Sequence, residues 1–132
     1  MTQVKLGRCG IISPKNAFGA LPIQRVDDET AVRLLRKAYA NGFTFFDTAR
    51  AYSDSEHKIG LAMSQSYTTD GYGYIPREKI TIATKSGATT PDGLCRDLER
   101  SLNELGCGYI DIYQLHNPSF CPKPGDGTGI YE

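Results

Sequence analysis

Three short apolar runs alternate with amphipathic helical stretches, and this alternation constrains the fold more than any other feature of the chain. The runs span residues 43–47, 80–85 and 109–116, and each has the length of a buried strand. Stretches with apolar residues at every third or fourth position separate them. Strands that alternate with helices indicate a parallel sheet covered by helices.

Turn and capping residues predict the limits of the first elements. Two apolar pieces around glycines in residues 2–14 predict a small hairpin, and residues 16–21 predict a short strand. Asp27 or Asp28 is expected to cap a helix that runs to Asn41, with Gly42 as its stop. The apolar spacing predicts one buried face on this helix, made of Ala31, Leu34, Leu35 and Ala38.

Two further helices follow the same logic. A cap within residues 53–55 is expected to begin the second, with an apolar face of Ile59, Ala62 and Met63. The Tyr- and Gly-rich residues 67–76 predict a surface loop. Thr90, Pro91 and Asp92 predict the start of the third helix, and Gly106 its end. Its predicted inner face is Leu94, Leu98, Leu102 and Leu105.

The predicted order is a hairpin followed by β-α-β-α-β-α-β within one domain, residues 1–132. A complete parallel (β/α) barrel of the TIM type needs ~250 residues. We therefore expect the first half of such a barrel, with four of the eight strands. Residues 117–129 are rich in Pro, Gly and Asp and predict a loop, and residues 129–132 predict the start of a fourth helix at which the domain is truncated.

Charge and cysteine content narrow the class of protein. The 15 basic and 15 acidic residues give no net charge, so neither nucleic acid nor a membrane surface is expected as a partner. No signal-length apolar run follows residues 1–5, which favours a cytoplasmic protein. The four cysteines are widely spaced: Cys9, Cys95, Cys107 and Cys121. This spacing predicts reduced thiols rather than a metal or iron–sulfur site.

Polar side chains end the three apolar runs. Asp47, Lys85 and His116 each close one run, and Tyr52 lies five residues after Asp47. Because the carboxyl ends of parallel barrel strands meet at one face, where the active site lies, these side chains are expected together there. Each also has a structural explanation as a turn cap, a solvated lysine, a packed tyrosine or a satisfied histidine. The joint placement on three consecutive strands favours a site.

These residues lie in segments that resemble the aldo-keto reductases. Residues 42–49, Tyr52 and residues 56–60 carry the strongest likeness, and residues 82–85 and 111–117 match the next two family signatures in order. Residues 19–25 look closest to a bacterial branch whose full-length members often carry an iron–sulfur region near the carboxyl end. No such region is expected in this segment.

The resemblance implies reduction of small-molecule aldehydes and ketones by hydride transfer from NADPH, with NADH possible. Hydride delivered to a carbonyl leaves negative charge on oxygen, so a proton donor must be near. A neighbouring ammonium favours the phenolate and makes a tyrosine a better donor. By resemblance, Tyr52 is the general acid, Lys85 the tuning cation and Asp47 its salt-bridge partner. His116 would orient and polarise the carbonyl.

The resemblance places most of the residues that bind the cofactor in the second half of the barrel. It leaves Gly19, Ala20, Leu21 and Asp47 as minor cofactor contacts. Glu56 is interpreted as structural, and Asp111, in an apolar strand, would need a partner if buried.

Two further hypotheses concern the chain as a half barrel. Its unpaired sheet edges predict self-association. The placement of most cofactor contacts in the second half of the barrel predicts poor activity of the chain by itself. The alternative function is a non-catalytic half-barrel fragment or interaction module. A hydrolase or phosphate-binding domain is set aside, because the Gly-x-Ser-x-Gly and Gly-Lys-Ser/Thr motifs are missing.

Overall fold

The computed structural model describes residues 2–132 as a hairpin followed by a helix-covered parallel sheet. The hairpin pairs β1 (Gln3–Lys5) with β2 (Ile12–Pro14). The sheet contains β3 (Phe18–Gly19), β4 (Phe45–Asp47), β5 (Thr81–Ser86) and β6 (Ile112–Leu115). The helices between consecutive sheet strands are α1 (Asp28–Ala40), α2 (Ser55–Met63) and α3 (Pro91–Leu105). Two 3₁₀ helices, Leu21–Arg25 and Arg77–Lys79, complete the regular structure.

The four sheet strands lie in their chain order, and every neighbouring pair is parallel. A doubly wound sheet would reverse its strand order at a switch point. A sequential order with one helix per crossover is instead that of a (β/α) barrel. The structure therefore confirms the predicted architecture, a partial barrel with four parallel strands and three helices.

Local capping chemistry sets the helix ends, largely as predicted. The Asp27 carboxylate accepts a hydrogen bond from the Thr30 amide at 2.7 Å and so begins α1. The Thr90 hydroxyl accepts from the Gly93 amide at 3.2 Å and begins α3. Gly106 then ends α3 with a φ of +61°, which costs a glycine little.

Several boundary predictions were wrong in detail. Asp54 precedes α2, but its carboxylate caps no helix amide and forms an ion pair with Lys58 instead. Leu34 is 44% exposed, because the buried face of α1 turns toward Val32 and Arg36. Residues 129–132 are irregular rather than helical.

The core lies between the sheet and the helices. Phe46 on β4 and Ile82 on β5 are fully buried there. The helices contribute Val32, Leu35, Ile59 and Leu105 to the same cluster. Each helix packs on the next, so the strands keep their order and present their carboxyl ends together. Among residues 2–132, no helix has both the length and the apolar character required to cross a bilayer.

Asp111, which the sequence left unexplained, supports the amino-terminal end of the sheet. Its carboxylate accepts from the Arg77 guanidinium at 2.7 Å and from the Ile82 amide at 2.8 Å. The Arg77 guanidinium also lies 3.8 Å from the centre of the Tyr109 ring. Asp111 precedes β6 rather than lying within it, and its half-buried carboxylate is paired, as burial requires.

Gly60 permits the close approach of α2 and α3. A Cβ atom there would lie 2.5 Å from the Glu104 carbonyl oxygen and 3.0 Å from the Leu105 carbonyl carbon. In an unhindered helix, Gly→Ala stabilises by ~1 kcal/mol. Here we expect Gly60→Ala to lower the free energy of unfolding by ~1–3 kcal/mol, measured by urea denaturation.

The obstructing atoms at Gly60 belong to the backbone, which defines a control. Glu104→Ala shortens a side chain and leaves the carbonyl in place. We therefore expect the Gly60→Ala/Glu104→Ala double variant to stay destabilised. An increase in stability on Gly60→Ala would contradict the close packing of the two helices.

Candidate active site

Asp47 and Lys85 form an ion pair at the carboxyl ends of β4 and β5. The Lys85 ammonium donates to Asp47 Oδ1 at 2.7 Å and to the Thr48 carbonyl oxygen at 2.7 Å. Two of its three donors are thereby used. The lysine side chain is 16% exposed and the aspartate 36%, so the ammonium is held in place yet reaches solvent.

Tyr52 lies between the ammonium and an imidazole. Lys85 Nζ is 5.5 Å from the centre of the Tyr52 ring. The Tyr52 and His116 rings meet edge to face, with centroids 5.5 Å apart and planes at 85°. This edge-to-face geometry is a favourable one for aromatic rings. The turn after β4 places the tyrosine, and the Tyr52 amide donates to the Ala49 carbonyl oxygen at 3.0 Å.

His116 follows β6 directly and is fixed to β5 by its backbone. Its amide donates to the Ser86 carbonyl oxygen at 2.7 Å. The next residue, Asn117, has a φ of +47°, so the chain turns sharply beyond the histidine. The structure thus brings the four residues expected at the strand ends into one cluster.

A second layer of polar groups supports this cluster. Glu56 is 1% exposed; it accepts from the Thr84 hydroxyl at 2.6 Å and pairs with the Arg50 guanidinium. The Arg50 amide in turn donates to the Lys85 carbonyl oxygen at 3.0 Å. These contacts agree with a structural role for Glu56. Arg50 was not predicted from the sequence, although a carboxylate on a buried helix face requires such a partner.

The residues considered for cofactor contact lie beside Asp47. The Ala20 amide donates to the Asp47 carbonyl oxygen at 2.8 Å, and the Ala20 carbonyl accepts from the Ser55 hydroxyl at 2.9 Å. Ala20 is therefore buried, whereas Gly19 is exposed and Leu21 is 43% exposed. A Cβ atom at Gly19 would meet nothing within 4 Å. Open space therefore lies against Gly19, Leu21 is accessible next to it, and Ala20 is buried behind them.

A cavity of about 150 Å³ opens next to His116. Residues 86–89, at and after the end of β5, form one side, and residues 115–120, at and after the end of β6, form the other. Apolar side chains such as Phe120 and Leu115 share this lining with hydroxyl and amide groups. Mixed linings of this kind suit small organic molecules.

Tyr113 lies on β6, two residues before Leu115 of the cavity lining. Its hydroxyl donates to the Leu94 carbonyl oxygen at 3.1 Å and ties β6 to the first turns of α3. Burial raises the pKa of the Tyr113 phenol above its ordinary value of 10.0. The phenol thus remains neutral and acts as a hydrogen-bond donor.

The raised pKa predicts a loss of stability at alkaline pH. Below pH 10 the phenol is protonated in both folded and unfolded chains. As the pH rises above 10, the unfolded chain loses this proton first, so the free energy of unfolding falls. Tyr113→Phe is expected to make this fall less steep, measured by urea denaturation at pH 8 to about 11. Tyr131→Phe, at a ring that is 61% exposed, serves as the control and should keep the wild-type slope; equal slopes in all three proteins would contradict the prediction.

Comparison with known proteins shows which family this chain resembles. A family described as the aldo/keto reductase family matches residues 15–123. The methylglyoxal reductase DkgB of Salmonella typhi is 31% identical over 118 residues, which cover 88% of this chain and 39% of that protein.

Solved structures show the same likeness. A thermostable aldo-keto reductase in complex with the inhibitor epalrestat has a TM-score of 0.77 and 31% identity, and the match covers 92% of this chain and 45% of that one. An aldo-keto reductase of Bombyx mori in complex with NADP has a TM-score of 0.67 and 23% identity, over 87% of this chain and 38% of that one, which shows a shared fold.

This chain matches only part of the length of its relatives. The chain spans 35% of the length of a curated relative from Glycine max and 40% of one from Bacillus subtilis. The match of the family to residues 15–123 nevertheless covers most of this chain. The chain therefore belongs to the aldo/keto reductase family.

Proposed function

We propose that this chain carries the catalytic face of an NADPH-dependent reductase of small aldehydes and ketones. The observation that carries the proposal is the contact of Lys85 with Asp47 at 2.7 Å beside the Tyr52 ring. Family membership supports it, as does the name of the methylglyoxal reductase relative. The NADP complex of the Bombyx mori enzyme supports the choice of cofactor.

In the proposed reaction, each of four side chains has a separate role. When bound, NADPH would supply the hydride that reduces the carbonyl carbon. Tyr52 then donates its phenolic proton to the oxygen on which negative charge develops. The Lys85 ammonium stabilises the resulting phenolate by its charge, and Asp47 keeps the ammonium in position. His116 donates a hydrogen bond to the carbonyl oxygen and polarises it.

The proposed cofactor contacts are few within this chain. Gly19 and Leu21 would pack against the bound nicotinamide, with Ala20 behind them, next to Asp47. A small residue at position 19 lets a flat ring approach the backbone closely. We expect a measurable but weak affinity, because few of the described groups could bind the phosphates of the cofactor.

A titration of the chain with NADPH tests the proposal. The protein contains no tryptophan, so the emission of the nicotinamide itself can be followed. Saturable enhancement is expected, and Leu21→Glu, which puts a charge at the proposed contact, should abolish it. An unchanged emission at millimolar NADPH would support the alternative of a non-catalytic half-barrel module.

Self-association is a second part of the proposal. β3 and β6 form the two edges of the sheet in the described residues, so backbone donors and acceptors at both edges lack a strand partner. We expect a dimer or higher oligomer by size-exclusion chromatography with light scattering at micromolar concentration. A stable monomer over a hundredfold concentration range would contradict this expectation.

A further inference from the structure

Ser86 connects the two sides of the cavity beside His116. This last residue of β5 is fully buried. Its carbonyl oxygen accepts from the His116 amide at 2.7 Å, on the β6 side. Its hydroxyl oxygen accepts from the Ala88 amide at 3.0 Å, on the loop that forms the other side. The separation of the two walls therefore depends on how Ser86 is oriented.

Asp97 on α3 fixes that orientation. The Ser86 hydroxyl donates its proton to Asp97 Oδ2. A serine hydroxyl has a single proton and a freely rotating O–H bond, whereas a carboxylate only accepts. With the proton directed at Asp97, a lone pair of the oxygen faces the Ala88 N–H group. Without this acceptor, the hydroxyl proton would compete with the amide for the same space.

The helix that carries Asp97 is itself anchored near this point. The Tyr113 hydroxyl on β6 donates to the Leu94 carbonyl oxygen, one turn before Asp97. The Thr90 cap holds the start of the same helix. Because α3 is anchored at these points, the Asp97 carboxylate is held in place next to Ser86, as a residue that orients another must be.

We propose that Asp97 is a positioning residue, which sets the loop after β5 through Ser86 so that the cavity receives the substituent of the carbonyl substrate. This inference rests on the proposed function and names the substrate class more closely. A cavity of about 150 Å³ holds roughly one benzene ring. The expected substrates include carbonyl compounds with a substituent of about the size of a phenyl group.

Amide hydrogen exchange in the whole chain tests the positioning role. Asp97→Ala is expected to speed exchange of the Ala88 amide about tenfold and to leave the His116 amide unchanged. Asp97→Asn keeps a carbonyl acceptor and should restore the wild-type rate. Glu99→Ala, at an exposed position on the same helix, should alter neither amide. An unchanged Ala88 rate in Asp97→Ala overturns the proposal.

Binding of benzyl alcohol tests the cavity. This alcohol is the reduction product of benzaldehyde and is inert without oxidised cofactor. Saturable NMR shifts are expected at residues 86–89 and 115–120. The dissociation constant should be about fivefold larger for Asp97→Ala than for wild type, Asp97→Asn or Glu99→Ala. Absence of binding by the wild type, or equal binding by Asp97→Ala, overturns the proposal. Neither measurement needs turnover, so loss of the proposed reductase chemistry would be recognised separately.

Discussion

Tyr52→Phe is expected to lower the rate of carbonyl reduction by about 10²- to 10⁴-fold, the range typical of a lost general acid. The substitution removes only the phenolic oxygen. The ring can keep its edge-to-face contact with His116 and its place beside Lys85. Binding of NADPH and the free energy of unfolding should therefore change little, and the loss should fall on turnover.

The assay needs a protein with a complete cofactor site. A chimeric barrel is suitable, in which this chain replaces the matching segment of the thermostable relative at 31% identity. Consumption of NADPH with methylglyoxal is followed by absorbance. Tyr74→Phe serves as the control, because Tyr74 is 43% exposed and lies in the 67–76 loop. Turnover of the Tyr52→Phe protein within about threefold of the parent would refute the role of Tyr52 as the acid.

Arg36→Met is expected to destabilise the chain by at least about 3 kcal/mol, because a buried charge-assisted hydrogen bond contributes ~1.5–3 kcal/mol and several are lost together. Arg36 is 2% exposed. Its guanidinium donates to carbonyl oxygens at the end of α2 and along the following loop, on Leu61, Ala62, Ser64, Tyr67 and Tyr72. The shortest of these bonds, to Tyr67, measures 2.7 Å.

This arrangement explains why a charge is tolerated in the core. The last carbonyls of a helix lack partners within the helix and carry partial negative charge, so a cation there is stabilised. Burial lowers the pKa of the Arg36 guanidinium, but the usual pKa of arginine is so high that the charge persists at neutral pH. Methionine fills similar apolar volume without a donor, so the variant reports mainly on the lost hydrogen bonds.

Urea denaturation at one fixed protein concentration measures the effect, because association makes stability depend on concentration. Arg36→Lys should lie between wild type and Arg36→Met, since an ammonium has fewer donors and no planar fork. Arg33→Met, at an exposed position of α1, should change the free energy by less than ~0.5 kcal/mol. Faster proteolysis within residues 65–74 should accompany Arg36→Met. If Arg36→Met lowered the free energy of unfolding as little as Arg33→Met does, the stabilising role of the Arg36 hydrogen bonds would be contradicted.

Capping and periodicity in the sequence were sufficient for most of the secondary structure. Asp27, Thr90 and Gly106 act as predicted, because each satisfies backbone groups within a few residues of itself. The spacing of apolar residues on α1 was less reliable. Leu34 fits the periodic face as well as its neighbours do, but packing against α2 selects the side that contains Arg36.

The end of the sheet at which the candidate residues cluster was predictable from the sequence. Asp47 and Lys85 lie at the ends of neighbouring parallel strands, so the fold brings them to the same end of the sheet, independent of any contact between their side chains. Ser86 and Asp97 were not recognised, because nothing local distinguishes an aspartate that faces a serine from one that faces water. A buried Glu56 was the available signal for Arg50, since a buried carboxylate requires a partner.

The sequence by itself determined the order of elements, their caps and the strand ends that carry polar residues, because these depend on interactions between residues close along the chain. Only the tertiary structure decided which polar groups meet. Arg77 and Asp111 are 34 residues apart, and Arg36 and Tyr67 are 31 apart. Partners at such separations are selected by the packing of helices on the sheet, and local sequence does not encode that packing.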